Sequence, residues 1–404
     1  MSDERNREGC AVHLAYEHDL TLPQGRKLAE LAIHALDPTF APWSPLNLAE
    51  PEVAEAYLSS PLGMHATNAA VAGVDQLAQD AVANGMETAG AWFARGRVAE
   101  HRGDVVAQRR HLETCLGLDA AFEPARLDLG FLAFVAGDVP TAQRLLSGSS
   151  HPSAGSMLHT LSHYPPRRSS AGRNQPCPCG SGTKSKHCCG SVLAHDLADR
   201  TIWLWEKAAL WLRRHPQHAA LVDIADEIAD PFGELDTAVY DDDLFDDDLY
   251  DDDLTAELDG RAASVLADPG FEGVALLDAG LIHRFAERMG PLLPADERDL
   301  LRRWGEVRHQ VWRIEGLNSD STVVLSDARG RVVDAQSVVL RRCAPPGGLA
   351  FAALLPTGEG WWVPAVPVDL DMEAADEVAQ LAAEGADPLV VAARAFEGTL
   401  SATM

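Results

Sequence analysis

The chain has 404 residues and a formal net charge of -28 at pH 7. This length allows two or three domains, and a hydrophobic content of 46% is sufficient for their cores. So acidic a protein does not coat nucleic acid with its whole surface. No apolar run approaches the roughly 18 residues of a membrane span, and residues 1–10 are polar. We therefore expect a soluble, cytoplasmic protein without a secretory leader.

The N-terminal region, residues 1–88, gives helical signals of moderate strength. Leu28–Leu36 has helical spacing, and three prolines follow it at positions 38, 42 and 45. Residues 52–88 carry Ala, Leu and Val at intervals of three and four, which is typical of helices. We predict an N-terminal helical region.

Residues 89–147 contain an internal repeat. Three pairs of residues are 34 positions apart, namely Gly96 and Gly130, Gly103 and Gly137, and Leu112 and Leu146. This period resembles that of tetratricopeptide repeats, which are helix–turn–helix units. Ala99 and Gln108 depart from the residue sizes usual in that family, and two units need further helices to cap the stack. The resemblance implies a concave partner-binding surface, and the alternative is a plain helical scaffold.

Four of the seven cysteines lie within thirteen positions, after a linker that we predict at 148–171. They form two close pairs, Cys177 with Cys179 and Cys188 with Cys189, separated by a loop rich in Gly and Lys. Two close pairs of this kind have metal-ligand spacing. Four thiolates close a tetrahedral Zn²⁺ site without an open position, so the site would be structural. The alternative is vicinal cysteines with a structural or redox role.

The residues around the cysteines suit such a site. Pro176 and Pro178 restrict the backbone, and Gly180 and Gly182 permit a tight turn. Arg173, Lys184, Lys186 and His187 offset the negative charge of a four-thiolate centre. From Pro165 to Gly190 there are five Lys or Arg and no acid, so this is the surface that we expect to contact an anionic partner.

Residues 172–190 closely resemble the SEC-C motif, named for the zinc-binding C-terminus of the SecA translocation motor. The resemblance implies one structural Zn²⁺ held by Cys177, Cys179, Cys188 and Cys189, and His187 is the alternative fourth ligand. It also implies a docking tip for a protein partner or the ribosome. The ATPase motifs of the motor are missing from the sequence, so its activity is not implied.

The region after the motif combines helices with an acidic stretch. Residues 191–233 form a predicted helical segment in which three tryptophans, Trp203, Trp205 and Trp211, belong to a core packed against the motif or the repeats. The alternative is an aromatic partner surface. Residues 234–260 contain three copies of a five-residue Asp-rich unit, which predicts a solvated loop. An acidic–hydrophobic binding segment and a divalent-cation site are the alternatives.

The C-terminal part is predicted to be an α+β domain. Residues 261–312 have helical spacing, and five short runs within about 311–366 have strand patterns with turns at Asp327–Gly330 and Thr357–Gly360. We predict a small SH3-like or OB-like β-barrel at 313–368 and one C-terminal helix within 369–404. Trp361, Trp362 and the pair Arg341 and Arg342 are the candidates for nucleic-acid binding by the barrel.

The predicted fold is therefore mostly α, with a TPR-like repeat region, a small zinc knuckle and a C-terminal α+β domain. We found no catalytic motif, and Cys10, Cys115 and Cys343 have no local His partner, so we expect no enzyme. The favoured function is a zinc-binding SEC-C/TPR adaptor for protein–protein interaction. The alternative is a nucleic-acid- or ribosome-associated regulator, with a hidden hydrolase as a weaker third. The sequence does not predict the oligomeric state.

Overall fold

The computed structural model describes the greater part of the chain. The described residues are 16, 20–36, 50–59, 68–83, 88–149, 151–164, 172, 174–176, 184, 195–214, 217–232, 252–318, 322–337 and 345–401. They belong to two compact units. The first unit comprises residues 1–195 and 288–294, and the second comprises residues 196–287 and 295–404.

Most of the described part of the first unit is helical. Its helices are α1 (Leu22–Leu36), α2 (Pro51–Ser59), α3 (Asn68–Ala83), α4 (Ala89–His101), α5 (Val105–Leu118), α6 (Glu123–Ala136), α7 (Val139–Leu146) and α8 (Pro152–Ser162), with a short 3₁₀ helix at Gly290–Leu292. The predicted N-terminal helices are therefore present, and α1 begins six residues before the expected start.

Two helix pairs, α4–α5 and α6–α7, have matching turns. Gly103 and Gly137 adopt the left-handed conformation, with φ of 76° and 73°, which glycine adopts without a steric penalty. The aspartate that follows each glycine caps the next helix, because its carboxylate accepts from the backbone N–H three residues later, at 2.9 Å for Asp104 and 3.2 Å for Asp138. The 34-residue sequence repeat thus corresponds to a repeated local geometry.

Small residues bring the two helices of each pair together. A Cβ on Gly96 would lie 3.1 Å from Leu112 Cδ2, and one on Gly130 would lie 2.6 Å from Leu146 Cδ2. The 34-residue spacing of these four residues in the sequence thus corresponds to the same contact in each helix pair. Assignment of the pairs to the tetratricopeptide family stays a prediction.

Helix α8 corrects the predicted linker at 148–171, because 152–162 is helical. Pro152 stands in the first turn, where a missing N–H costs nothing. Ala154, Met157 and Leu161 are buried and recur at helical spacing, and α8 packs against α6 and α7. The Ser, Gly and His content of the stretch concealed this apolar stripe.

The second unit begins with helices. They are α9 (Leu197–Leu212), α10 (His218–Ala229), α11 (Asp252–Ala267), α12 (Phe271–Leu277), α13 (Leu281–Met289, whose last two residues belong to the first unit) and α14 (Ala295–Trp304). Trp203, Trp205 and Trp211 are buried, which confirms the predicted core. The ring contacts of Trp205 are with Trp304 and Trp362, whereas we expected packing against the motif or the repeats.

Helix α11 also corrects a boundary, since the predicted acidic loop at 234–260 overlaps its first nine residues. Ala262 and Val265 of α11 are buried, and α11 packs against α10 and α12. Leu254 and Leu258 continue the same three- and four-residue spacing in the sequence, which accounts for a helix that begins within an Asp-rich run. The first two Asp-rich units, 241–245 and 246–250, lie outside the described residues, and the third, 251–255, is within α11 from Asp252 onward.

A seven-stranded sheet follows in the second unit. Its strands are β1 (Gln310–Leu317), β2 (Thr322–Ser326), β3 (Val332–Gln336), β4 (Leu349–Ala352), β5 (Leu355–Pro356), β6 (Trp361–Trp362) and β7 (Val368–Leu370), in the order β5-β6-β3-β2-β1-β4-β7. Only β3 and β6 pair in parallel among the described strands. A register shift between Ile314 and Gly316 interrupts the β1–β2 ladder, and such bulges bend a strand.

The sheet is a curled half-barrel, so the predicted small β-barrel is confirmed only in this coarser form. It has seven strands where five were predicted, and β5 and β7 are the edges of the strand order. The fourth of the five predicted strand runs is divided between β4 and β5, and β7 extends two residues past 368, the predicted end of the barrel. The two predicted turns are confirmed. Gly330 has φ of 75° in the β2–β3 turn, and Thr357 N donates to Gly360 O at 2.8 Å in the β5–β6 turn.

Two helices end the described chain where one was predicted, namely α15 (Met372–Glu384) and α16 (Pro388–Ser401). Gly385, with φ of 79°, ends α15, and Asp387 accepts from Leu389 N at 2.8 Å. The stop and start signals between them are therefore a glycine and a capping aspartate before proline. Helix α15 packs against β1, β4 and β7. No described helix has the length and apolar character needed to span a membrane.

Candidate metal centre

The described part of the cysteine motif is a turn followed by a bridge. Gln175 N donates to Gly172 O at 2.9 Å, and Gln175 Oε1 accepts from Gly172 N at 3.3 Å. Pro176 then forms an isolated antiparallel bridge with Lys184. The turn residues Asn174 and Gln175, together with Pro176 and Lys184, are exposed.

The bridge brings together two positions that flank the cysteine pairs. Bridged residues in antiparallel chains have Cα atoms about 4.5–5.5 Å apart. Cys177 directly follows Pro176, and Cys188 is four residues after Lys184, a stretch that spans at most about 14 Å when extended. The spacing therefore permits both pairs to contribute to one centre.

Cys177, Cys179, Cys188 and Cys189 lie outside the described residues, as do Arg173, Lys186 and His187. The chemistry of the four cysteines nevertheless fits zinc. Zn²⁺ prefers four thiolate or imidazole ligands in a tetrahedral arrangement, with Zn–S distances of about 2.3 Å. Lys184 is exposed and lies between the two cysteine pairs in the sequence, so its ammonium group would offset part of the charge of four thiolates.

The other described residues contain no group of three or more His, Cys, Asp or Glu that could hold a metal ion. Cys115 is the free cysteine within the described residues, and it is buried. Burial raises the pKa of its thiol to about 12, so at neutral pH it is a protonated apolar side chain. Cys10 and Cys343 lie outside the described residues.

A buried Asp–His pair lies in the second unit, and no pattern in the sequence indicated it. Asp278 accepts from the backbone N–H of His309 at 3.0 Å and also pairs with its Nδ1. A Cβ on Gly273 would lie 3.1 Å from His309 Nε2, so the ring packs closely against α12. This close packing suits a structural role for the pair, which links the end of α12 to the start of β1. A catalytic base would need room for a substrate beside Nε2 of His309. The two residues are 31 positions apart and share no motif.

The aromatic candidates for nucleic-acid binding differ in their surroundings. Trp362 contacts Trp205, with the two rings nearly perpendicular and their centroids 6.1 Å apart, and is partly exposed. Trp361 is 37% exposed, while Arg341 and Arg342 lie outside the described residues. Of the four residues proposed for nucleic-acid binding, Trp361 is therefore the most exposed one that the structure describes.

Comparisons with known proteins agree with the motif. A family model described as SEC-C motif matches residues 173–191. The protein translocase subunit SecA of Dichelobacter nodosus (strain VCS1703A) is 60% identical to this chain over 37 residues. That match covers 8% of this chain and 4% of SecA, so the similarity is local. No solved structure matches the chain significantly. Residues 173–191 of this chain are a SEC-C motif.

Proposed function

We propose that the chain is a zinc-binding SEC-C/TPR adaptor that mediates protein–protein interaction. The observation that carries this proposal is the SEC-C match at 173–191, which includes all four candidate ligands, Cys177, Cys179, Cys188 and Cys189. One Zn²⁺ per chain would stabilise the motif, and a closed four-thiolate site leaves no position for a substrate. The role assigned to the metal is therefore structural.

The chain's own residues would shape the tip around the metal. The Pro176–Lys184 bridge joins the two sides of the segment that carries the first cysteine pair. Because metal binding and folding of small zinc motifs are coupled, the ordered tip would depend on zinc. The exposed Lys184 and the other cations of the motif would then face an anionic surface of a partner.

The helix pairs of the first unit support the second half of the proposal. Helices α4–α7 repeat the turn and packing geometry at a 34-residue interval, as stacked helical repeats do. Such arrays commonly bind proteins along one helical face. We place the adaptor in the cytoplasm, where thiols stay reduced and available to zinc.

A zinc measurement on the purified chain tests the proposal. We expect about one zinc per chain by elemental analysis of protein prepared without chelator. Cys188→Ser should lose most of this zinc, because one of four ligands is removed. Cys10→Ser is the matched control, since it makes the same chemical change outside the motif, and it should keep the full zinc content.

Two results would contradict the metal assignment. One is freshly purified protein that contains no zinc and does not take it up from buffer. The other is equal zinc loss in the Cys188→Ser and Cys10→Ser variants. A pull-down from native cytosol, compared between wild-type chain and a variant with all four motif cysteines changed to serine, then tests whether the tip contacts a partner.

A regulator that associates with nucleic acid or the ribosome is the weaker candidate function. Such a protein needs a basic surface. The basic residues are concentrated in the motif, where Lys184 is exposed. In the sheet, Trp362 is partly buried in contact with Trp205, so Trp361 is the better exposed of the two tryptophans that could stack on bases. These observations favour a protein partner over a nucleic acid.

A further inference from the structure

Helix α8 ends with two exposed histidines. His159 lies in its last turn, and His163 directly follows the helix with helical backbone angles, φ of -82° and ψ of -13°. Both side chains are exposed. Residues four positions apart lie on the same face of a helix, with their Cβ atoms about 5–6 Å apart. The two imidazole rings accordingly contact each other, with their centroids 4.9 Å apart.

One hydrogen bond determines which nitrogen of His163 is free to bind a metal. Nδ1 of His163 lies 3.1 Å from the backbone carbonyl oxygen of His159. A carbonyl oxygen only accepts, so Nδ1 carries the hydrogen and the lone pair of the neutral ring is on Nε2. Metal-binding histidines are usually held in this way, with the second ring nitrogen donating to a carbonyl or a carboxylate. Among the described residues, no group forms a hydrogen bond with either ring nitrogen of His159.

The surroundings of the two histidines suit a cation. The last carbonyl groups of a helix carry partial negative charge, which stabilises a cation near the helix C-terminus. Helix α8 contains no Lys or Arg, so no positive side chain of the same helix opposes the ion. Neutral imidazole binds divalent zinc, copper and nickel, with a metal–nitrogen distance of about 2.0–2.1 Å. Because both side chains are exposed, rotation of the rings can bring two nitrogens onto one ion.

The histidine pair differs from the cysteine motif in its coordination. Four thiolates close a tetrahedral site, whereas two imidazoles leave the other positions of the ion to water. The described residues provide no third His, Cys, Asp or Glu that would complete a group of three. Fewer linked ligands hold an ion less tightly. The pair would therefore exchange its ion readily and lose it during purification, while the motif keeps its zinc.

We propose that His159 and His163 form a second, exchangeable metal site that binds one divalent ion of the zinc, copper and nickel group. The ion joins the last turn of α8 to the residue that follows the helix. This site goes beyond the proposed function, because it uses no residue of the motif and does not depend on zinc there. The chain then holds a second ion whenever free metal is plentiful.

Nickel binding to the full chain, prepared without a histidine tag, tests the site. Zinc-loaded chain is dialysed to equilibrium against Ni²⁺ alone. We expect the nickel affinity of wild type to fall at least about tenfold in His159→Asn and in His163→Asn, because each variant leaves one arm of the chelate. His151→Asn is the matched control. It removes an exposed histidine at the start of the same helix and should bind nickel as wild type does.

A further variant moves the histidine pair by one turn. Gly155 lies four residues before His159 and is exposed, and nothing lies within 4 Å of an added Cβ. Adding Gly155→His to His163→Asn therefore places a new imidazole beside His159, and we expect it to restore most of the lost nickel affinity. A double variant that binds nickel no better than His163→Asn would contradict the proposal.

Two other results would overturn the second site. One is equal nickel affinity of wild type, His163→Asn and His151→Asn. The other is nickel uptake that is lost in Cys188→Ser and kept in His163→Asn, which would place the ion in the cysteine motif. The zinc content of His163→Asn should equal that of wild type. A failure of the histidine site is therefore distinguishable from a failure of the zinc assignment.

Discussion

At the residue scale, one carboxylate holds two cations in the interior of the second unit. Glu297 is 0% exposed and accepts from Arg200 at 2.6 Å and from Lys207 at 2.7 Å. Burial alone would lower the pKa of Arg200, but the carboxylates of Glu297 and Asp296 raise it above its ordinary value. Lys207 Nζ also lies 4.8 Å from the Trp203 ring centroid. Breaking such a buried network is costly because it leaves buried charge uncompensated.

We expect Glu297→Gln to destabilise the second unit by about 3–5 kcal/mol, because both cations lose the same buried carboxylate. Asp299→Asn is the control. It breaks the exposed Arg302–Asp299 pair, and exposed pairs contribute about 0–1 kcal/mol. Urea unfolding followed by tryptophan fluorescence checks this, since seven of the nine tryptophans lie in the second unit. Similar midpoints for the two variants would refute the network's role.

Pairings of this kind could not be predicted from the sequence. Arg200 and Glu297 are 97 residues apart, and neither belongs to a periodic pattern or a motif. Asp278 and His309 present the same difficulty. By contrast, the cysteine motif was predictable because its four cysteines lie within thirteen positions. Local chemistry is visible in a sequence, whereas partners chosen by tertiary packing are not.

At the scale of elements, the turn predictions that were confirmed are those marked by a glycine in the sequence. Gly103 and Gly137 marked both turns of the helix pairs, and Gly330 marked the β2–β3 turn. Gly385 is an equally clear stop signal, but the apolar spacing on both sides of it favoured one long helix. The predicted small β-barrel is confirmed only as a curled half-barrel, and the reason is different. Short strands with close turns fit an open curled sheet as well, and the difference lies in which edges pair.

We expect Gly130→Ala to destabilise the first unit by about 1–3 kcal/mol, as overpacking of a core usually does. The new Cβ would lie 2.6 Å from Leu146 Cδ2 and 2.9 Å from its Cγ, and Leu146 is itself fully buried. Gly73→Ala, in the exposed face of α3, is the matched control, because nothing lies within 4 Å of its Cβ.

The control change should stabilise the unit by about 0.5–1 kcal/mol through helix propensity. Thermal unfolding followed by far-UV circular dichroism measures both variants. If Gly130→Ala melts at or above the temperature of Gly73→Ala, the close approach of α6 and α7 is not as described.

At the scale of the whole molecule, the first unit carries two groups that resist ionisation. Burial raises the pKa of Cys115 from 9.0 to about 12 and that of Tyr57 from 10.0 to about 12. Between the ordinary and the raised values, the folded chain holds protons that the unfolded chain releases. These two groups therefore contribute no pH dependence to the free energy of unfolding well below pH 9, and they lower it as the pH rises toward 12.

Cys115→Ala should remove part of this alkaline loss. One such proton changes the free energy of unfolding by about 1.4 kcal/mol per pH unit, so wild type should lose on the order of 2 kcal/mol more than the variant between pH 9 and 10.5. Urea unfolding followed by circular dichroism at both pH values measures the difference. Between pH 7 and 8 the two chains should change in parallel. Parallel behaviour up to pH 10.5 would show that the thiol ionises normally.

The first unit is synthesised in two separate parts. Its first part ends at residue 195, and its last segment, Arg288–Pro294, is made after 92 residues of the second unit. At about 5–20 residues per second, a ribosome needs roughly 5–20 s for that interval. Until then, the backbone carbonyl of Glu100 lacks Arg288 and α6 lacks the 3₁₀ helix that packs against it. The nascent first unit therefore displays, for several seconds, a surface that the finished protein covers.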